Sequence, residues 1–338
     1  MLKASKKWFL IVSIAALTIT TTACGTGTDG GATDQKQGAA PSATVSASPT
    51  ASPSPTTATA VKVDEAKVAE VLAQFNNATP AKVVTVSVAI AEILNELGVL
   101  PVGVPTTSSK LPAAYDQVPR VGSSHQLNLE LIAKQQPDVV LAPSSLKTNL
   151  EKTLGSANLK SAFVPVDSLE ELKITTVALG KVFKQEAKAT AFLENHAKAE
   201  AAALELGKGK KAPKVLFLFG SAESLMFMNE STFAGSLAKK LGATNISTEL
   251  QLKDAYSPLN MESIVTTNPD IIMLVTHGDP AAAAKKFEED MKKNGSWEKL
   301  NAFKNGKIKT LDYTLFGIAS IANAPAAYKE LAQVLFNQ

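Results

Sequence analysis

Cysteine and arginine each occur once in these 338 residues, and histidine three times. The lone thiol, Cys24, leaves no internal disulfide, no paired-cysteine metal site and no cysteine nucleophile in the folded part. The lone guanidinium, Arg120, excludes the arginine cluster that anionic catecholate chelates call for. Three histidines, at 125, 196 and 277, are too few for a zinc- or manganese-ion site built from several imidazoles and carboxylates. GxSxG, HExxH and the P-loop are all absent, so the residues point to no enzyme class. Basic excess is missing too. The chain carries +3. Residues 1–23 hold Lys3, Lys6 and Lys7 and no acid, so the remainder is 3 − 3 = 0, which gives nucleic acid no footprint.

The chain opens with three lysines, an apolar run from Trp8 to about Leu17, and "TTTA" before Cys24. This is the pattern of a secretory signal over 1–23, too short for a stable membrane span. A sole cysteine after it resembles a bacterial lipobox, with Thr21 where Leu is more usual, and makes Cys24 the expected lipidated residue. Residues 24–62 are Gly, Ser, Thr, Pro and Ala with almost no large apolar side chain, and predict a disordered tether. A coil of that length reaches on the order of 35 Å.

From residue 63 onward short β-branched runs alternate with helical periodicity. Strands are expected at 82–89, 101–105, 138–143 and 161–166, then at 215–220, 270–275 and 307–312. Helices separate them, and a last helix is expected from about 325 to 336. This grammar predicts an α/β fold of two Rossmann-like lobes with central parallel sheets. The first lobe takes 63–183 and the second 209–338. Between them, 184–208 reads as one long connecting helix rich in Ala, Leu, Lys and Glu, leaving a ligand cleft between the lobes. His196 on that helix, among charged and small neighbours, reads as a solvated surface residue.

One sentence is written twice. "HQLNLELIAKQQPDVV" from His125 and "LNMESIVTTNPDII" from Leu259 align at a constant offset of 132. Leu127/Leu259, Asn128/Asn260, Glu130/Glu262, Ile132/Ile264, Pro137/Pro269 and Asp138/Asp270 are identical. Each copy predicts an Asn-capped short helix, then Pro-Asp, then a central strand, so duplicated architecture is expected. Glu130 and Glu262 fall at the second helical position, where the helix dipole favours a carboxylate.

The signal, tether, two lobes and long helix resemble the helix-linked class of ABC-importer substrate-binding proteins, which take up siderophores, cobalamin and haem. Within it the chain is similar to haem-binding lipoproteins of the Isd type. That resemblance rests on "SVAIAEILNELGVLPVGVPTTSSKLPAAYDQVPRVG", "THGDP", "NGSWEKLNAFKNGKIKTLD" and "LFGIASIANAPAA". It implies a monomer anchored through Cys24 to the outer face of the cell membrane. The monomer would carry haem to a permease dimer with a cytoplasmic ATPase and would not be an enzyme. It makes His277 an axial ligand to haem iron and Glu130 and Glu262 the contacts to the permease. Relatives place a Met ahead of the first repeated helix, where this chain has His125.

Neutral imidazole suits haem iron, and one histidine per lobe would give six-coordinate, bis-histidine iron. If His125 does not ligate, Met226, Met228, Tyr256 or Tyr313 could, or iron stays five-coordinate. Apolar cleft walls are expected around Thr106, Ser144, Met226, Met228 and Phe316. Ser87 and Thr232, at helix starts, are expected to meet the haem propionates. A hydroxamate siderophore or cobalamin is the rival cargo, and a lipid-anchored enzyme the distant one.

Overall fold

A computed structural model of the protein describes residues 62–336. The expected signal, the tether over 24–61 and Cys24 lie outside the described residues. The first lobe contains α1 (Glu65–Ala73), β1 (Val83–Thr85), α2 (Val88–Glu96), β2 (Gly122–Ser123), β3 (Gln126–Leu127), α3 (Leu129–Lys134), β4 (Val139–Pro143), α4 (Lys147–Ser156), β5 (Ser161–Val164) and α5 (Leu169–Val182). The connecting helix α6 runs Glu186–Gly207. The second lobe contains β6 (Lys214–Gly220), β7 (Leu225–Met228), α7 (Phe233–Lys240), β8 (Thr244–Asn245), α8 (Ile246–Glu249), β9 (Tyr256–Pro258), α9 (Met261–Thr267) and β10 (Ile271–Thr276). It continues with α10 (Pro280–Lys293), α11 (Asn301–Lys304), β11 (Ile308–Thr310), α12 (Tyr313–Phe316) and α13 (Ala324–Phe336).

In the first lobe β1, β4 and β5 form a parallel sheet in the order β1-β4-β5. Every residue of β1 and β4 is buried, as a sheet covered on both faces requires. The strand expected at 101–105 is reduced to single bridges, Val84 with Gly103 and Val104 with Arg120. In the second lobe β6 pairs in parallel with β10 and β8, and β10 with β11. Two further strands, β7 and β9, add to the sheet antiparallel and were not expected from the sequence.

The repeat is structural as well as written. Val83 of β1 faces Val139 of β4, and Val215 of β6 faces Ile271 of β10, the same pair moved by 132. The repeated Pro-Asp has a physical reason. Asp138 N donates to Lys82 O and Lys82 N returns a bond to Asp138 Oδ2, at 2.8 and 2.9 Å. Asp270 and Lys214 make the same two bonds at the same two lengths. Each aspartate thus clips the helix exit to the start of the neighbouring strand. These backbone donors hold the Asp138 carboxyl below the usual carboxylate range.

The main core does not stop at the lobe boundary. One continuous cluster takes in Leu141 and Leu172 from the first lobe, Leu193 from α6, and Phe217, Met273 and Leu331 from the second. His196 corrects the sequence reading. It is 6% exposed, its ring lies 4.4 Å from Phe192, and burial first, then Lys173, pushes its pKa down to about 4. α6 packs against α5 and α13, with Ala189, Leu193 and Ala203 buried on the same helix. Beside it, Lys173 pairs with Glu200 at 2.8 Å and Glu170 at 3.3 Å, and Glu170 also meets Lys240 of α7 at 3.3 Å.

Candidate functional site

β10 ends at Thr276, and the next residue, His277, emerges at the carboxyl edge of the sheet, where open α/β sheets bind ligands. Its backbone N–H donates to Gly220 O at 2.9 Å, which holds it beside the end of β6. Its ring lies 5.3 Å from Phe219, and Phe219 lies 4.9 Å from Tyr256. Three rings in a row therefore line the second-lobe wall. From the first lobe, His125 stands in the two-residue turn of the β2–β3 hairpin, between Ser123 and Gln126. Ser123 Oγ accepts from Gln126 N at 3.1 Å and tightens that turn. Gly122 has φ +94°, and a Cβ there would meet Gln126 O and Asn128 N, so the hairpin requires glycine.

Both histidines, each exposed, open onto one interlobe cavity of about 530 Å³. Its volume suits a drug- to cofactor-sized ligand. Met228, Phe233, Val275 and Phe316 supply apolar wall. Among the described residues, no three His, Cys, Asp or Glu side chains converge as a bare metal ion would need. The donors suit a ligand that brings its own equatorial chelation and leaves axial positions open.

Of the other expected residues, Ser87 reaches the cavity. It caps α2 but makes no side-chain capping bond, so its hydroxyl and the helix N-terminus face the ligand space. Several expectations need correction. Thr106 lines a separate surface groove with Arg120, where its hydroxyl accepts from Gly122 N at 3.2 Å. Ser144 is exposed and does not line the cavity; the neighbouring Ser145 does, on the 3₁₀ turn Ser144–Leu146 that follows β4. Thr232 is 2% exposed, donates to Asn229 O at 2.7 Å and caps α7, so it has no proton left for a propionate. Met226 is half-buried in β7 and does not line the cavity, whereas Met228 does. Tyr313 lines a neighbouring cavity. Glu130 and Glu262 are both exposed at the second position of α3 and α9, each after an Asn cap that accepts a bond at 3.0 Å.

Sequence reasoning missed a polar group at the cavity's first-lobe side. Ser145 Oγ donates to Asp167 Oδ1 at 3.2 Å, and burial pushes the Asp167 carboxyl up. Tyr256 faces it from the other lobe; burial first and Asp167 second push its hydroxyl up. The offset would have found Ser145, since 277 − 132 = 145 makes it the counterpart of His277. Likewise 125 + 132 = 257, and Ser257 is the counterpart of His125. The two histidines are therefore not duplicates of each other; each lobe carries its own at a different place in the shared frame.

Two α/β lobes on one long helix, with a ligand-sized cleft at their sheet edges, define a substrate-binding protein, and the family comparison agrees. The chain belongs to the periplasmic binding protein family, whose profile matches residues 83–315. It is a substrate-binding protein of an ABC importer. Across 258 residues it is 31% identical to the high-affinity heme uptake system protein IsdE of Staphylococcus aureus, covering 75% of this chain and 87% of that protein. The crystal structure of S. aureus IsdE complexed with heme superposes with a TM-score of 0.71 at 30% identity, covering 75% of this chain and 98% of that one. An ABC transporter substrate-binding protein from Listeria monocytogenes EGD-e gives a TM-score of 0.69 at 33% identity, covering 76% and 99%. S. aureus SirA complexed with staphyloferrin B, at 24% identity and a TM-score of 0.63 over 76% and 93%, shares the fold.

Proposed function

We propose that this protein captures haem in the interlobe cleft by axial ligation from His277 and His125 and delivers it to a membrane permease. The observation that carries the reading is the approach of one histidine from each lobe to a single largely apolar cavity. The similarity to IsdE, whose name and structure title specify heme, supports it. Bis-imidazole ligation gives low-spin iron, and it needs neutral imidazole, so acid weakens it. Ser87 and the N-terminus of α2 offer a place for one propionate. Glu130 and Glu262, free of ion pairs among the described residues, are the two acidic contacts to the permease. Cys24 is the lipid anchor that keeps the carrier at the outer membrane face.

The test is a haemin titration of the purified protein followed by absorption. Wild type is expected to give a low-spin spectrum. His277→Ala is expected to lose the bound band, and His125→Ala to turn it high-spin and weaken binding. An unchanged spectrum in His125→Ala would remove the bis-histidine assignment. No haemin binding, with tight binding of a ferric hydroxamate chelate, would move the cargo to siderophores.

A further inference from the structure

A second cavity, of about 590 Å³, adjoins the ligand cleft along the same lobe junction. The two share Ile318, and their first-lobe walls meet at Val88 and Ala89. One wall is α2 with loop 108–113, and the other is α12 with residues 318–323. Across it, Glu92 of α2 bonds to the second lobe. Ser320 Oγ donates to Glu92 Oε2 at 2.6 Å, and Ala322 N–H donates to the same carboxyl. Ser320 is 2% exposed, and its oxygen accepts from Asn323 N at 3.1 Å, which fixes the direction of its single proton. The segment just before Ser320, Phe316–Ala319, lines the ligand cleft. The other end of α2, at Ser87, lines it as well.

We propose that Glu92 is the positioning residue that holds the cleft-lining segment 316–319 of the second lobe against α2 of the first, so that its bond to Ser320 governs how long a ligand stays bound. Elsewhere the lobe junction holds packed apolar surface, the ionic group around Lys173, and a bond from Leu169 N–H to Ser236 Oγ at 3.1 Å. Glu92 supplies the bonds at the edge shared with the second cavity.

This carboxyl also responds to protons. Burial, first, and Glu96 one turn on push its pKa up to about 7, against the smaller opposing effect of Ser320 and Ala322. The other charged or titratable groups facing the junction are Lys110 from loop 108–113 and Tyr313 from α12. A separated junction would return Glu92 to water and to its ordinary 4.5. The closed junction therefore binds the proton more tightly than the open one. Acid favours closure, and closure weakens as pH rises toward 7 and past it. Protonated Glu92 keeps a carbonyl oxygen that still accepts from Ser320.

The experiment has two arms. In the first, ligand-free wild type and Glu92→Gln are unfolded chemically between pH 4.5 and 8. Wild type is expected to lose stability relative to the variant as pH rises to about 7. Parallel profiles would overturn the proposal, and this arm does not depend on what the cargo is. In the second, haemin is bound and its transfer to excess apomyoglobin is timed. This arm rests on the haem reading. Glu92→Ala and Ser320→Ala are expected to release haemin roughly tenfold faster at pH 6. Glu92→Gln, which keeps the acceptor, is expected to hold the pH 6 rate at pH 8, where wild type speeds up. Release unchanged in all three variants would overturn the positioning role. If wild type binds no haemin, the haem reading falls, and the first arm still decides on Glu92.

Discussion

His196 allows a quantitative test of how the helix junction is packed. Its imidazole, buried on α6 against Phe192, titrates near 4 instead of its ordinary 6.5. In the unfolded chain it takes up a proton through 6.5, and in the folded chain only near 4. Between those values the unfolded state binds more protons, so folding stability falls as pH falls. The gap corresponds to a loss of about 1.4 kcal/mol at pH 5.5 and about 2.5 kcal/mol at pH 4.5, relative to pH 7.5. His196→Gln removes this contribution. Urea unfolding of wild type and variant across that range gives the difference directly, and the difference cancels other titrating groups. Glu92 acts in the opposite sense over nearly the same window, so the wild-type profile is expected to be flatter than that of either variant alone. If wild type and His196→Gln run parallel from pH 7.5 to 4.5, the imidazole is hydrated and the packing argument fails.

Gly122→Ala is expected to displace the β2–β3 hairpin, because its Cβ would meet the backbone of Gln126 and Asn128. The haemin spectrum should then match that of His125→Ala, at a stability cost of about 1–3 kcal/mol measured by urea unfolding. Reversing charge at both feet, Glu130→Lys with Glu262→Lys, should abolish haem-dependent growth while leaving haemin affinity unchanged. The loss of favourable helix-dipole contact there costs folding no more than about 1 kcal/mol per site.

The frame of this molecule was readable from its repeat. A 132-residue offset seen in six identities returns in strand register and in the Asp138 and Asp270 clips. Backbone pairing transmits such an offset faithfully, so the lobes, α6 and the terminal helix followed from pattern. Side-chain direction did not follow in the same way. Ser144 and Ser145 differ only by their place on one 3₁₀ turn. Thr232 looked like a free hydroxyl, but a helix cap and a carbonyl had already taken it. The β7 and β9 strands were missed because "LMFM" and "YSP" are too short to show a period. Glu92 left a trace that was legible: it interrupts "VAIAEIL", a helix buried on nearly every side, and a carboxylate there needs partners.

α6 does more than connect. Its Ala189, Leu193 and Ala203 belong to the core that both lobes share, and it packs on α5 and α13 along its length. Swinging the lobes widely apart would tear that core and expose apolar surface. The carrier is therefore built as a standing slot whose opening is local, at the Glu92–Ser320 contact, and not as a trap that shuts by swinging whole lobes. A slot already formed pays little conformational tax on binding, so its apparent affinity stays close to its intrinsic one. It also gives up whole-lobe closure as a means of rejecting the wrong cargo. Discrimination then falls to the chemistry of the walls: which donors project into the slot, from which lobe, and in what state of protonation.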